Sequence, residues 1–104
     1  MSVLEGVLLE EINRLERNIS SYRQILSNLP RGTIFIKKVG NTSYVYRKRK
    51  ENGKVVSIYL GIIDDNNVKK EMERSNDYKR IKNNIRIANS ELIKLKKAYK
   101  TYAK

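Results

Sequence analysis

The chain has 104 residues, no cysteine and no histidine, and a formal net charge of +12 from 23 basic and 11 acidic side chains. That length predicts one domain, 1–104, with a modest core. The missing residue types exclude disulfides and thiol chemistry, suit a reducing compartment, and remove the commonest general base and metal ligand. No apolar run approaches the ~18 residues of a membrane span and no signal-peptide pattern opens the chain, so the expected location is the cytoplasm.

Residues 3–28 read as a helix. Leu8, Ile12, Leu15, Ile19, Tyr22 and Leu26 recur at alternating spacings of four and three, which places them on one face. Gly6 weakens the first turns by about 1 kcal/mol relative to alanine. Pro30 cannot continue the helical hydrogen-bond ladder and also restricts Leu29, so the helix ends before Leu29-Pro30-Arg31-Gly32.

Residues 33–60 predict a three-stranded antiparallel meander. Asn52-Gly53 is a strong two-residue hairpin signal because both residues tolerate positive φ, and Gly40-Asn41 is a weaker one. β-branched and aromatic residues dominate between the turns. Two-residue turns fix the register: Val39 faces Thr42, Ile36 faces Val45, Phe35 faces Tyr46, Tyr46 faces Tyr59, Arg47 faces Ile58 and Glu51 faces Lys54. One face then carries Ile34, Ile36, Val45, Val56, Ile58 and Leu60, with Arg47 and Arg49 at one end. The other carries Phe35, Lys37, Tyr44, Tyr46, Lys48, Lys50, Ser57 and Tyr59. A sheet this small is stable only with one face buried. The aliphatic face is the better candidate, which leaves the aromatic and basic face for a partner.

After Gly61, Asp64 or Asp65 is the expected N-cap of a helical region over 66–102. Glu73 to Asp77 is the stretch where that pattern admits a break or kink. Beyond it, Tyr78, Ile81, Ile85, Ala88, Leu92, Leu95, Tyr99 and Tyr102 alternate spacings of three and four. Two apolar stripes of similar kind predict that the terminal helices pair as a coiled-coil-like stalk. Two helices bury little between them, so a homodimer is expected. The fold class is therefore α+β: a helix, an antiparallel meander and a long helix.

Charge is uneven along the chain. Residues 1–28 carry a net −1, residues 29–63 a net +7 and residues 64–104 a net +6. The first helix reads as scaffold, and the meander with the last helix as the working surface. A balance this basic favours a polyanionic partner.

Leu29-Pro30-Arg31-Gly32-Thr33, Tyr44-Val45-Tyr46-Arg47 and Gly53-Lys54-Val55-Val56-Ser57-Ile58-Tyr59-Leu60-Gly61 together resemble a family of small, uncharacterised basic proteins of bacteria, archaea, phages and mobile elements. That family combines an N-terminal helix, an LPKG motif, a tyrosine-rich hairpin closing on GKVKSKYLG, and a charged C-terminal coiled coil. Arg31 stands where the family has lysine, and Val56 and Ile58 stand where it often has basic residues. The sheet is also similar in form to the three-stranded arm-type DNA-binding domains of tyrosine integrases. Small anti-CRISPR-like inhibitors of bacterial immune nucleases are similarly basic and compact.

Nucleic-acid binding is the reading these residues favour. Tyr44, Tyr46 and Tyr59 offer rings to stack on bases, and Lys37, Lys48 and Lys50 neutralise phosphates beside them. Arg31, Arg47 and Arg49 flank the site as phosphate ligands. In the alternative, the tyrosines are core under the last helix and the lysines line its rim. The run Lys94, Lys96, Lys97, Lys100 and Lys104 reads as a solvated helix flank. Catalysis is not expected, and neither is a cofactor or a metal. Asp64 and Asp65 are explained by capping, and nothing places Asp77 beside them. Two classes stay open: a nucleic-acid-binding accessory protein of phage or mobile-element type, and a protein-binding module. The second includes an anti-CRISPR-like inhibitor of a nucleic-acid-handling enzyme and a coiled-coil assembly module.

Overall fold

The computed structural model describes residues 2–103. The element order is α1 (Val3–Ser27), β1 (Thr33–Val39), β2 (Thr42–Glu51), β3 (Lys54–Ile62) and α2 (Asn66–Tyr102). The three strands form one antiparallel sheet in the order β1-β2-β3. Contacts gather into two compact units, Met1–Asn28 with Ile81–Lys104, and Leu29–Arg80. Lys104 lies outside the described residues.

The first unit pairs α1 with the C-terminal half of α2. Ser2 caps α1 by accepting the Glu5 backbone N–H at 3.1 Å. Asn28 is the C-cap, so the helix stops where Leu29-Pro30 forbids a further turn. Leu15 and Ile19 are buried with Ala88, and Ile85, Leu92 and Leu95 pack against them. These residues belong to the two stripes expected from spacing. Lys96 reaches Glu16 of α1 at 3.5 Å, an exposed ion pair of small energetic weight.

The second unit holds the meander and the first part of α2. Strand register follows the sequence pattern: Ile36 pairs with Val45, Phe35 with Tyr46, Tyr46 with Tyr59, Arg47 with Ile58 and Glu51 with Lys54. Asn52 and Gly53 both take positive φ, as a type I′ turn requires. In the first hairpin only Gly40 does, the pattern of a type II′ turn. Val45 is fully buried at 0% exposure, and Val68 of α2 is buried too.

The sheet departs from its expected form beyond Tyr59. The register shifts between Val45 and Tyr46, so that Val45 pairs with Gly61 and Tyr44 with Ile62. Leu60 is the extra residue of a β-bulge, and β3 runs on to Ile62, past the limit of 60 expected for the meander. The cause is packing. A Cβ on Gly61 would stand 2.7 Å from the Val68 side chain, and Gly61 has φ of +137°. The bulge presents a residue without a side chain at the point where the helix meets the sheet. One residue onward it moves Ile62 to the tyrosine face.

Asp65 caps α2. Its Oδ1 accepts the backbone N–H groups of Asn67 at 2.8 Å and Val68 at 3.2 Å. No break occurs at Glu73–Asp77, because α2 is helical throughout Asn66–Tyr102. Strand β1 is an edge of the sheet. Its adjacent Lys37 and Lys38 lie on opposite faces and are both exposed.

Replacing Gly61 with alanine should lower unfolding stability by about 1–3 kcal/mol, through a strained φ and a clash with Val68. The double variant Gly61→Ala/Val68→Ala should lose less than the sum of the single losses, because the shortened helix residue makes room for the new methyl. Denaturant titration of all four proteins measures this coupling, and additive losses would remove Val68 as the reason for the bulge.

Candidate nucleic-acid interface

The two faces of the sheet hold their cations differently. Arg47 lies on the aliphatic face, with Ile34 and Ile58 as its cross-strand neighbours. It is 6% exposed. Its Nε donates to Ser75 Oγ at 2.9 Å, and its Nη2 donates to the Glu71 carbonyl at 3.1 Å and to Glu71 Oε2 at 2.8 Å. Glu71 and Ser75 are one helical turn apart, so both face the sheet from the same side of α2. Glu71 Oε1 takes a second cation, Arg74 Nη1, at 2.9 Å. The Glu71 carboxyl is held below its ordinary value, first by the hydrogen bond from Arg47. Partial burial opposes that shift, and Arg74 adds to it.

Arg47 is therefore held in the contact between the sheet and α2. Arg49 lies on the same face and is half-buried. Its Nη2 pairs with Glu51, and its shielded Nε has no partner among the described residues. Arg31 is exposed at the foot of β1, where its Nη2 donates to the Lys50 carbonyl at 3.2 Å. That bond keeps it beside the end of β2, near Lys50. Of the three arginines expected to flank the site, Arg31 alone remains available at its edge.

The opposite face brings together Lys37, Tyr44, Tyr46, Lys48, Lys50 and Tyr59, as strand parity predicts. Three ladder rows cross it: Lys37–Tyr44–Ile62, Phe35–Tyr46–Tyr59 and Thr33–Lys48–Ser57. Phe35 stacks on Tyr46, with ring centroids 5.0 Å apart and planes 14° from parallel. Tyr59 tilts against Tyr46 at 5.3 Å and against Tyr44 at 6.2 Å. Pairs of this kind stabilise by about 0.5–1.5 kcal/mol beyond the area they bury. Lys48 Nζ sits 4.7 Å from the Phe35 centroid, a cation–π contact of about 0.5–1 kcal/mol at an exposed site.

The tyrosines are neither fully open nor fully core. Phe35, Tyr44 and Tyr46 are half-buried. Tyr59 is 53% exposed. Lys37, Lys48 and Lys50 are all exposed, and none has an ion-pair partner among the described residues. Phe35 was absent from the expected site set although its parity put it on this face. Val39, Val55 and Ile62 share the face as well and are exposed. Parity would have found the two valines, and only the bulge places Ile62.

Among the described residues, no three Asp, Glu, His or Cys side chains converge as metal ligands. No described helix is long and apolar enough to cross a membrane. Lys94, Lys97 and Lys100 are exposed along α2, as is Lys96 beside Glu16.

The class defined by this geometry is an α+β protein whose antiparallel meander offers one aromatic, basic face. Residues 7–70 match the family described as a domain of unknown function, DUF6788, and the chain belongs to that family. The match takes in α1 from Val7, the whole meander and the first turn of α2. No curated protein matches the chain, and no solved structure does.

Removing the charge at Glu71 tests the buried clamp. Glu71→Gln should cost about 1–2 kcal/mol at neutral pH, because the buried Arg47 guanidinium loses its counter-charge. The sign of the pH dependence follows from a depressed carboxyl. The stabilisation is present above the ordinary carboxylate pKa and disappears as the pH falls through the lowered value. The parent should thus lose stability in acid more steeply than Glu71→Gln, as read by denaturant midpoints from pH 7 to 3. Parallel curves would show that the ion pair contributes nothing.

Proposed function

We propose that the protein is a non-catalytic nucleic-acid-binding accessory protein that works through the aromatic and basic face of its meander. The observation that carries this reading is the half-exposed Tyr59, braced by Tyr44 and Tyr46, on one face with the unpaired Lys37, Lys48 and Lys50. Exposed rings bind nucleic-acid bases or sugars, and unpaired lysines beside them neutralise phosphates. The excess of basic residues draws a polyanion toward the same surface. Arg31 serves at the rim as a further phosphate ligand. The resemblance to small basic proteins of phages and mobile elements supports that setting, and the absence of cysteine suits a cytoplasmic one.

Binding to mixed-sequence oligonucleotides should weaken steeply as salt rises, because the bound lysines release condensed counterions. Changing Lys37, Lys48 and Lys50 together to alanine should reduce affinity and flatten the salt slope by about two to three units. Fluorescence anisotropy against salt concentration measures both. Undiminished binding by the triple variant would end the claim for this face. Retrieval of a tagged host partner that survives nuclease treatment would favour an inhibitor of a nucleic-acid-handling protein instead.

Self-association is supported by a separate observation. In the helical unit the buried cluster is Leu15, Ile19 and Ala88, while Val3, Val7, Ile25, Ile87 and Ile93 stay exposed, Val3 at 87%. A second copy that covered Val3, Val7 and Ile25, which share one face of α1, would enlarge this core toward a four-helix arrangement. Sedimentation equilibrium should return the dimer mass for the parent, and the variant Val7→Glu/Ile93→Glu should shift it toward monomer. A parent that sediments as monomer throughout the micromolar range refutes the homodimer.

A further inference from the structure

The side chains of the aromatic face bear on which form of nucleic acid it suits. Double-stranded sequence is read in the major groove by arginine or lysine at guanine and by asparagine or glutamine at adenine, with serine and threonine as weaker readers. The face of Tyr44, Tyr46 and Tyr59 has no arginine, asparagine or glutamine in any ladder position, and of the base readers it keeps lysine, serine and threonine. Its polar atoms are ammonium and hydroxyl groups, and its remaining members are aromatic or aliphatic. The arginines of the strands, Arg47 and Arg49, lie on the other face, where Arg47 is buried. A duplex presents phosphates and sugars outward and keeps its base faces stacked inside. It would satisfy the lysines and leave the exposed Val39, Val55 and Ile62 facing a charged backbone.

An unpaired strand matches both halves of the surface. Its bases are free to leave their neighbours and lie against a ring, and its phosphates follow the lysines. Among the four rings, Phe35 and Tyr46 are stacked on each other, and Phe35 also carries the Lys48 ammonium. Tyr44 is half-buried. Tyr59 has the open surface, and its two tilted neighbours hold it in place. Exposed Ile62 lies beside Tyr44 in its ladder row, and exposed Val39 lies beyond Lys37 on β1.

We infer that the face takes single-stranded nucleic acid in preference to duplex, with a base stacked on Tyr59 and little sequence selectivity. This rests on the nucleic-acid reading above and narrows it. Lys37 and Lys50 stand at opposite ends of the aromatic patch and neutralise phosphates on either side of the stacked base. Phe35 and Tyr46 are positioning residues that fix the platform. Ribose and deoxyribose strands share this chemistry, so the ligand class is an unpaired polynucleotide.

The test compares four labelled probes of one length by fluorescence anisotropy at fixed salt: single-stranded DNA, single-stranded RNA, duplex DNA, and a single strand whose central nucleotides are abasic. The abasic strand has the same phosphates without the rings. Unpaired strands should bind at least about tenfold tighter than duplex, and the abasic strand should lose most of that advantage, since stacking depends on a base. Tyr59→Leu should weaken single-strand binding about five- to a hundredfold, whereas Tyr59→Phe, which keeps the ring, should stay near the parent. Thermal melts of both variants accompany the titrations. If Tyr59→Leu melts far below the parent, the abasic probe decides the matter on the unaltered protein. Equal or tighter binding of duplex, or full-strength binding of the abasic strand, overturns the inference and leaves the nucleic-acid reading standing. Failure to bind any of the four probes overturns both. The relative affinities of the DNA and RNA strands identify which one the face prefers.

Discussion

A guanidinium in the middle of an aliphatic sheet face would be unaffordable without partners, and Arg47 has them on α2. Moving such a charge out of water carries a penalty of several kcal/mol, which charge-assisted hydrogen bonds to Glu71 and Ser75 offset. The demand is directional. Nε and Nη2 diverge in a fixed planar fork, so the carboxylate and the hydroxyl must arrive one helical turn apart. The helix therefore has one rotation and one axial position over this sheet that satisfies the ion. A purely aliphatic contact at the same place would tolerate sliding. Val68 against Gly61 is the second fixed point, three residues past the Asp65 cap.

The same cation explains why some of the structure was legible from residues alone and some was not. Strand parity and two-residue turns are local, so the pairings of Phe35 with Tyr46 and Arg47 with Ile58 could be read directly. Helical spacing is local too, and it picked out Leu15, Ile19 and Ala88. The Arg47 clamp spans 24 and 28 residues, and no short-range signal announces it. Without it, the polar stretch Glu73 to Asp77 looks like a weak point in a helix. With it, Ser75 is a buried hydroxyl facing the sheet, and the helix passes through intact. The bulge at Leu60 was hidden for a related reason. Gly61 read as a turn residue, whereas its role is to clear space for a helix that starts five residues later.

Counting charge by segment overstated the working surface for the same reason. The meander's basic excess included Arg47 and Arg49, yet both lie on the aliphatic face and pair with glutamates of the chain. What remains on the aromatic face is lysine. Lysine is a compact, mobile donor that neutralises phosphate without demanding a fixed geometry. The rings beside it are rigid and mutually braced. The surface thus combines loosely held charge with firmly held aromatic area.

The outer edge of β1 has a consequence for solubility. TIFIKKV is rich in strand-forming residues, and Ile36 and Val39 lie exposed along it. An open edge of this kind is a template on which further strands can add. The neighbouring Lys37 and Lys38 put one ammonium on each face of the edge. A second copy adding parallel and in register would bring cations together above and below the growing sheet. Electrostatic repulsion would therefore resist stacking of copies through β1, and polyanions that screen the lysines would weaken that protection. The protein's resistance to fibril growth should be lowest where polyanions are abundant.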